Sequence, residues 1–481
     1  MTGERDFLVG KRVTVIGLGI EGVDVARYAA THGATVTVFD SKSPAALTER
    51  MTQLEGLPIE YALGRPQRVE DIVQSDIIFA SQSVPLTLPV FESARERGVP
   101  VSSMTRFFLE HCPGPTIGIT GSSGKTTTTS LVAAMMAADG RAYRVGGNIG
   151  TGLLGLLDGI DERTWTVMEI SHTQLQLVER SPHIAAVLNV TPNHLDQFSW
   201  DAYVALKQKL VQYQTPDDYV VLNFDDPLSA GMADLTSAAA SFFTLGDGVP
   251  ESGAFVQDRA IFLRHDSIET MVLPLDEIPL RGMHNVANVL AATAIAAAAG
   301  VSVDAIALAI RSFKGVAHRL ELVGEVDGVR YVNDSIATTP ERTLAGIRSF
   351  DEPIVLLLGG KDKNLPLDEL AQEALRRCVA IVFFGADGAL LEAAVDANAA
   401  LVSHDERPQM ARLATLAEAV TEAHGMASAG DVVLLSPACT SFDAYANFEA
   451  RGEEFRRLVR DMERGLKAGA TNDADATGGG R

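Results

Sequence analysis

The stretch Ile117-Gly-Ile-Thr-Gly121-Ser122-Ser123-Gly124-Lys125-Thr126 has the residue types needed to hold a nucleoside triphosphate. Backbone amides of a glycine-rich turn cradle phosphate oxygens, a lysine reaches the terminal phosphates, and a threonine hydroxyl can ligate Mg²⁺. The spacing departs from the strict GxxxxGK[ST] pattern, because the outer glycine position holds Ile119. A chance Gly-Lys-Thr on a surface helix is the competing explanation. The strand-like run Thr116–Thr120 just before the loop argues against it.

Two further polar residues stand where strands end. Glu169 closes the apolar run Trp165–Ile170, and His194 lies just past Ala185–Val190. Strand carboxyl ends in an α/β sheet face the phosphate loop, so both could reach a metal ion there, although either one alone reads as ordinary surface. Lys207 and Lys209 fall on an expected helix, Trp200–Tyr213, where a lysine is normally solvated. Asn285 and Asn288 precede a long Ala-rich helix; such residues can bond a purine edge, but helix capping is their commoner use.

A second glycine loop, Gly17-x-Gly19-x-x-Gly22, lies between a strand and a helix, with Asp40 closing the next strand. That is a dinucleotide fingerprint, and the same helix N-terminus could equally take the pyrophosphate of a uridine diphosphate group. In the last third of the chain, polar loops follow three strand patterns: Asn333–Thr338, Gly359–Lys363 and Ser436–Ser441. A doubly wound domain places its ligand at such strand ends.

These loops need several domains to carry them, and 481 residues suffice for about three. Val13–Ile16, Thr35–Phe39, Ile77–Ala80 and Val99–Ser102 give the first region, 1–110, a βαβ rhythm. Cys112-Pro-Gly-Pro115 is a turn-rich linker into 111–314, where Thr116–Thr120, Val167–Glu169, Ala185–Val190 and Val220–Asn223 read as strands and Val286–Ala299 and Val303–Ser312 as helices. Val329–Val332, Ile354–Leu358, Ala380–Phe384 and Val432–Leu435 read as buried strands of a third region, 315–467. The tail 468–481 lacks large apolar residues and reads as disordered. A net charge of −22 disfavours nucleic acid and anionic membrane as partners. Three widely spaced cysteines, Cys112, Cys378 and Cys439, suggest neither a disulfide framework nor a zinc site. With no apolar leader and no membrane-length run, the expected compartment is the cytoplasm.

The motifs in their order resemble the Mur ligases: TGSSGKTTT, GGNIG at Gly146–Gly150, MEISHTQL, NVTPNHLDQF, GMHNVAN, AHRLE, NDSIATTPE, LLLGGKDKN and LLSPACTSFDAYANFEARGEEF. The likeness covers about residues 12 to 460. It implies an α/β protein of three domains, two doubly wound Rossmann-like domains flanking a central P-loop-type ATPase domain. It also implies an ATP- and Mg²⁺-dependent ligase that takes no partner beyond its small-molecule substrates and works as a monomer. The final motif is close to the form found in the branch that adds D-glutamate to UDP-N-acetylmuramoyl-L-alanine through an acyl phosphate. L-glutamate, and the other Mur-type and folylpolyglutamate ligases, are the alternatives.

The resemblance also implies roles. Lys125, His194 and Lys207 would be catalytic, Lys207 as a carbamate. Gly121, Ser122, Ser123, Gly124, Lys125, Thr126 and Thr127 would bind ATP phosphates, with Asn288, Arg319 and Asp334 completing the nucleotide site. Thr126, Glu169, His194 and the Lys207 carbamate would meet the metal. Gly17, Gly19, Ile20, Glu21, Asp40, Ser41, Ser81 and Asn148 would hold the UDP-sugar, and Thr338, Lys363, Ser441, Phe442 and Phe448 the glutamate. Three departures from the family's usual residues stand out: Ile336 for lysine, Asn193 for aspartate, and the loop Ser81-Gln82-Ser83 for Ser-Pro-Gly. The competing activities are a nicotinamide-dependent oxidoreductase using Gly17–Gly22 and a nucleotide-gated binding protein.

Overall fold

The computed structural model describes residues 7–192, 198–246, 248, 250–265, 267–403 and 407–476. Among the described residues there are three β-sheets, and the chain divides into two compact units, 1–278 with 284–313, and 279–283 with 314–481.

The first sheet is all parallel, in the spatial order Ile59–Leu63, Thr35–Asp40, Arg12–Ile16, Ile77–Ala80, Val101–Ser102. Both faces are covered, and the period-2 alternation of a strand shows why. Val13, Val15 and Phe79 enter one apolar core with the helices Ile20–Thr31 and Met104–His111, whereas Ile16, Ile78 and Ala80 enter another with the helix Pro89–Glu96. Strand order reverses at Arg12–Ile16, the switch point at which a doubly wound sheet opens a crevice.

The second sheet has nine strands. Its parallel part runs Tyr143–Gly147, Trp165–Glu169, Thr116–Thr120, Ile184–Val187, Tyr219–Asn223, Ala239–Thr244, Gly253–Gln257. Ala260–His265 and Ile268–Pro274 extend it antiparallel. The sequence pattern does not mark this extension as strands. Its first hairpin turns on Asp258 and Arg259, both at positive φ as a type I′ turn demands, without the Asn-Gly or Asp-Gly pair that normally signals one.

The third sheet orders Glu321–Val326, Val329–Asn333, Val432–Ala438, Ile354–Gly359, Cys378–Phe384, Gln409–Arg412, with only the first strand antiparallel. Alternation again feeds two cores: Ile354, Leu356 and Leu358 on one face, Val355 and Leu357 on the other. The three strands whose ends carry the polar loops are therefore neighbours. The last helix is continuous over Phe448–Ala476 and so runs into the tail that composition reads as disordered. No proline interrupts it, and alanine is the best helix former. Residues 477–481 lie outside the described residues. Among the described residues, no helix is long and apolar enough to cross a membrane.

Candidate active site

The strand Thr116–Thr120 is buried throughout and delivers the loop Gly121–Gly124 to the helix Lys125–Ala138. Gly124 has φ +82°, and a Cβ there would collide with Asn288 Oδ1, so the turn admits glycine alone. Flanking strands brace the loop. The Ser123 amide donates to Asn189 Oδ1 at 2.8 Å and the Ser122 amide to the Asn189 carbonyl at 3.0 Å. Ser122 Oγ lies 2.9 Å from the Thr191 carbonyl and 3.0 Å from the Tyr203 hydroxyl. Lys125 curls over the loop, with Nζ 2.9 Å from the Gly121 carbonyl. Thr126 is half-buried, while Thr127 is buried with a hydroxyl that bonds no other described residue. Asn189 opens the motif NVTPNHLDQF, but neither it nor Tyr203 belongs to the glycine loop, and the sequence gives no sign that they brace it.

Asn285 and Asn288 do not cap their helix as expected. Both are buried inside Met283–Ala298, joined by an Asn288 Nδ2 to Asn285 Oδ1 bond of 3.1 Å. The helix begins earlier than its apolar pattern suggests, which brings Asn288 onto the glycine loop at Gly124.

Glu169 is buried at its strand end. Oε1 accepts from Asn148 Nδ2 at 2.8 Å, and Oε2 is buried with no hydrogen-bond partner among the described residues. A buried carboxylate oxygen without a donor fits a cation that completes its coordination. No group of three or more His, Cys, Asp or Glu that could hold a metal occurs among the described residues. Mg²⁺ does not need one, since it uses one or two carboxylates with phosphate oxygens and water. His194 and Asn193 lie outside the described residues.

Lys207 corrects the solvated-face reading. It is 1% exposed in the last turn of Trp200–Gln208, with Nζ 4.7 Å from the centre of the Tyr203 ring. Burial, with the charge of Lys125 added, pulls its pKa down to about 6. No carboxylate pairs with it among the described residues. Burial thus favours the neutral amine, the form able to act as a nucleophile.

At the first sheet, Gly17 has φ +91°, and Ser81 Oγ donates to its carbonyl at 2.6 Å. Asp40 accepts from the Leu18 amide and the Lys42 amide, both at 2.8 Å, so this carboxylate shapes the loop. Gly19 precedes the helix at its N-cap, Ile20 is 49% exposed and Ser41 is exposed. Glu21 is buried, and both its oxygens are taken within the protein, by Gln174 Nε2 at 2.6 Å and the Gln82 amide at 3.1 Å. Burial raises its pKa.

In the second unit, Asp334 is buried and accepts from Ser436 Oγ at 2.8 Å and the Leu320 amide at 3.2 Å. Burial pushes its pKa up to about 7, against Ser436 and the charge of Arg319. Lys363 Nζ lies 3.3 Å from Thr338 Oγ1. Ser441 is 2% exposed, Phe442 is 71% exposed, and the Phe448 carbonyl accepts from Ser335 Oγ at 2.8 Å.

Arg451 ties these loops together. It is fully buried and donates to the carbonyls of Ser335, Gly359, Cys439 and Thr440, at 2.9–3.3 Å, and to Ser335 Oγ at 3.0 Å. Burial lowers its pKa to about 10. It stands in the motif Asn447-Phe-Glu-x-Arg451-Gly, but sequence gives no sign that its donors span three strand ends.

Three family profiles match in chain order: Mur ligase MurD-like N-terminal domain over 11–103, Mur ligase middle domain over 119–296, and Mur ligase glutamate ligase domain over 318–439. The UDP-N-acetylmuramoylalanine–D-glutamate ligase of Symbiobacterium thermophilum is 40% identical over 94% of this chain and 98% of its own length. The ligase of that name in Koribacter versatilis is 39% identical over 94% and 98%. The chain belongs to the Mur ligase family. This Mur ligase is an ATP-dependent enzyme that forms amide bonds. Its fold is shared with the UDP-N-acetylmuramate-alanine ligase of Thermotoga maritima, at TM-score 0.60 and 19% identity over 94% of this chain and 99% of that one. It is shared as well with the Acinetobacter baumannii ligase named UDP-N-acetylmuramoylalanyl-D-glutamyl-2,6-diaminopimelate–D-alanyl-D-alanyl ligase, at TM-score 0.57 and 16% identity over 94% and 93%. At such identities the likeness shows a common three-domain α/β architecture and nothing finer.

Proposed function

We propose that this Mur ligase joins D-glutamate to UDP-N-acetylmuramoyl-L-alanine, making a peptidoglycan precursor in the cytoplasm as a monomer. The observation that carries the proposal is the identity of 36–40%, over 94% of the chain, to relatives bearing that activity in their names. In this reading residues 1–110 take the UDP-sugar, 111–314 take ATP, and 315–467 take the amino acid.

A carboxylate and a protonated amine do not condense in water. Attack of the L-alanyl carboxylate on the γ-phosphate expels ADP and leaves an acyl phosphate, a competent electrophile. The neutral amine of glutamate then attacks the acyl carbon, phosphate departs, and the amine loses a proton. Lys125 and the loop amides of Gly121–Gly124 offset charge on the phosphate as it is transferred. Thr126, Glu169 Oε2 and a carbamate on Lys207 would hold Mg²⁺, which when bound offsets phosphate charge. The neutral Lys207 amine adds CO₂ and releases one proton, giving an anion with two oxygens suited to a hard cation. Asn288 faces the nucleotide. Lys363 and Ser441 each take a carboxylate of the amino acid.

Ile336 favours keeping L-glutamate as the second reading, since the loop Asn333–Thr338 lacks a cation of its own. An assay with ATP, Mg²⁺, UDP-N-acetylmuramoyl-L-alanine and both glutamate enantiomers in competition decides between them. Phosphate release that needs both co-substrates and prefers the D form is expected. Preference for the L form transfers the activity to the second reading, and release without co-substrates overturns both.

A further inference from the structure

The amino acid of this reaction is a dicarboxylate, which calls for two cationic seats. Lys363, 3.3 Å from Thr338 Oγ1, is one. The same loop leads to a second. The Thr338 amide donates to the Ile336 carbonyl at 2.8 Å, and that carbonyl also accepts from Arg342 Nη1 at 3.2 Å. The Arg342 guanidinium thus folds back from the first turn of the helix Pro340–Ile347 onto the loop that follows Val329–Asn333. Two cations bracket Ile336–Thr338, connected by successive hydrogen bonds.

Stability does not account for Arg342. It is exposed, and among the described residues it pairs with no carboxylate, whereas Arg348 at the end of the same helix pairs with Glu369 and Glu373. A cation in a helix's first turn opposes the helix dipole. One of its five guanidinium donors is used on Ile336, which leaves a planar fork of the shape that grips a carboxylate with two parallel bonds. The buried Asp334 feels its charge but makes no ion pair with it.

We propose that Arg342 is a specificity-determining residue that supplies the cation for the glutamate carboxylate that Ser441 hydrogen-bonds, while Lys363 takes the other, an inference that rests on glutamate being the amino acid added. It supplies the cation that Asn333–Thr338 does not carry.

The test is steady-state kinetics of the full chain with ATP, UDP-N-acetylmuramoyl-L-alanine and D-glutamate. Arg342→Ala should raise the KM for glutamate roughly ten- to a hundredfold, the worth of a charge-assisted bond. The kcat, and the KM for each of the other two substrates, should stay within about twofold, with no fall in Tm. Arg342→Lys should recover part of the loss, since it restores charge without the fork. An unchanged glutamate KM in Arg342→Ala, or an equal rise in KM for all three substrates, would overturn the assignment. The wild-type control separates the two levels: no glutamate-dependent turnover by wild type overturns the proposed function and this inference together, whereas normal wild-type turnover with an indifferent Arg342→Ala overturns this inference alone.

Discussion

Asn148 donates its side-chain amide to Oε1 of Glu169 at 2.8 Å, which leaves Oε2 as the oxygen without a donor. A residue assigned to the UDP-sugar therefore orients one assigned to the metal. Asn148→Ala removes a hydrogen bond to a charged group, worth about 1.5–3 kcal/mol. The Mg²⁺ concentration for half-maximal activity should rise about tenfold or more by that figure. A Mg²⁺ titration that overlays the wild type would show that Glu169 is oriented by something else.

Lys125→Ala should abolish turnover while leaving the fold intact. Its Nζ sits on the Gly121 carbonyl within the loop, so truncation takes the ammonium away from the transferred phosphate, at a cost of roughly 10³-fold or more in rate. Circular dichroism checks the fold and phosphate release the rate. Retention of more than a tenth of wild-type turnover would sink the phosphate-loop assignment.

Lys207 links chemistry to stability. Its folded pKa, about 6, lies below the ordinary lysine value, so between pH 6 and about 10 the unfolded chain binds more protons than the folded one. In metal-free buffer purged of CO₂, where the amine is unmodified, this group therefore makes the protein more stable as pH rises through that window. Lys207→Met should flatten that slope and raise stability at pH 7, yet depress activity sharply. Labelled ¹³C-bicarbonate should give a carbamate NMR signal in wild type and none in the mutant. Equal slopes in the two proteins, and no signal in wild type, would return Lys207 to a structural role.

Asp334 has the opposite sign. Burial lifts its pKa to about 7, so between about pH 4 and 7 the folded state binds the extra proton, and stability falls as pH rises. Asp334→Asn keeps the Ser436 contact, should flatten this slope, and should make the protein more stable at pH 8 but less active. Urea melts at pH 5 and pH 8 read the difference; an unchanged pH slope in the mutant would mean that Asp334 is ionised throughout.

Arg451→Lys should destabilise the second unit. Lysine cannot satisfy four carbonyls with three donors on one nitrogen, and disrupting a buried, fully bonded cation costs about 3–5 kcal/mol. Trp165 and Trp200 both lie in the first unit, so tryptophan fluorescence reports on that unit alone. The far-UV transition should shift to lower urea more than the fluorescence transition does. Coincident, unshifted transitions would show that the three loops stand without the guanidinium.

Much of this is legible in the residues. The phosphate loop, the first glycine loop and the three polar loops of the last region each follow an apolar strand pattern, and their chemistry depends on that local order. The antiparallel hairpin of Gly253–Gln257 and Ala260–His265 is not, because Asp258-Arg259 adopts a glycine-like turn that neither residue advertises. The helix carrying Asn288 is legible, but periodicity gives a helix face and not what packs on it.

The sequence by itself determined which glycine loops join a strand to a helix, and that the chain resembles the Mur ligases. A motif's spacing is set by local turns and strand ends, which a short stretch of chain specifies. Only the tertiary structure decided that Lys207 is buried, with its pKa pulled down, that Glu21 and Asp40 spend their carboxylates inside the protein, and that Arg451 joins three loops. Those properties are desolvation and hydrogen bonding between segments remote in the chain. They depend on what surrounds a side chain after packing, and the identity of the residue alone does not contain that.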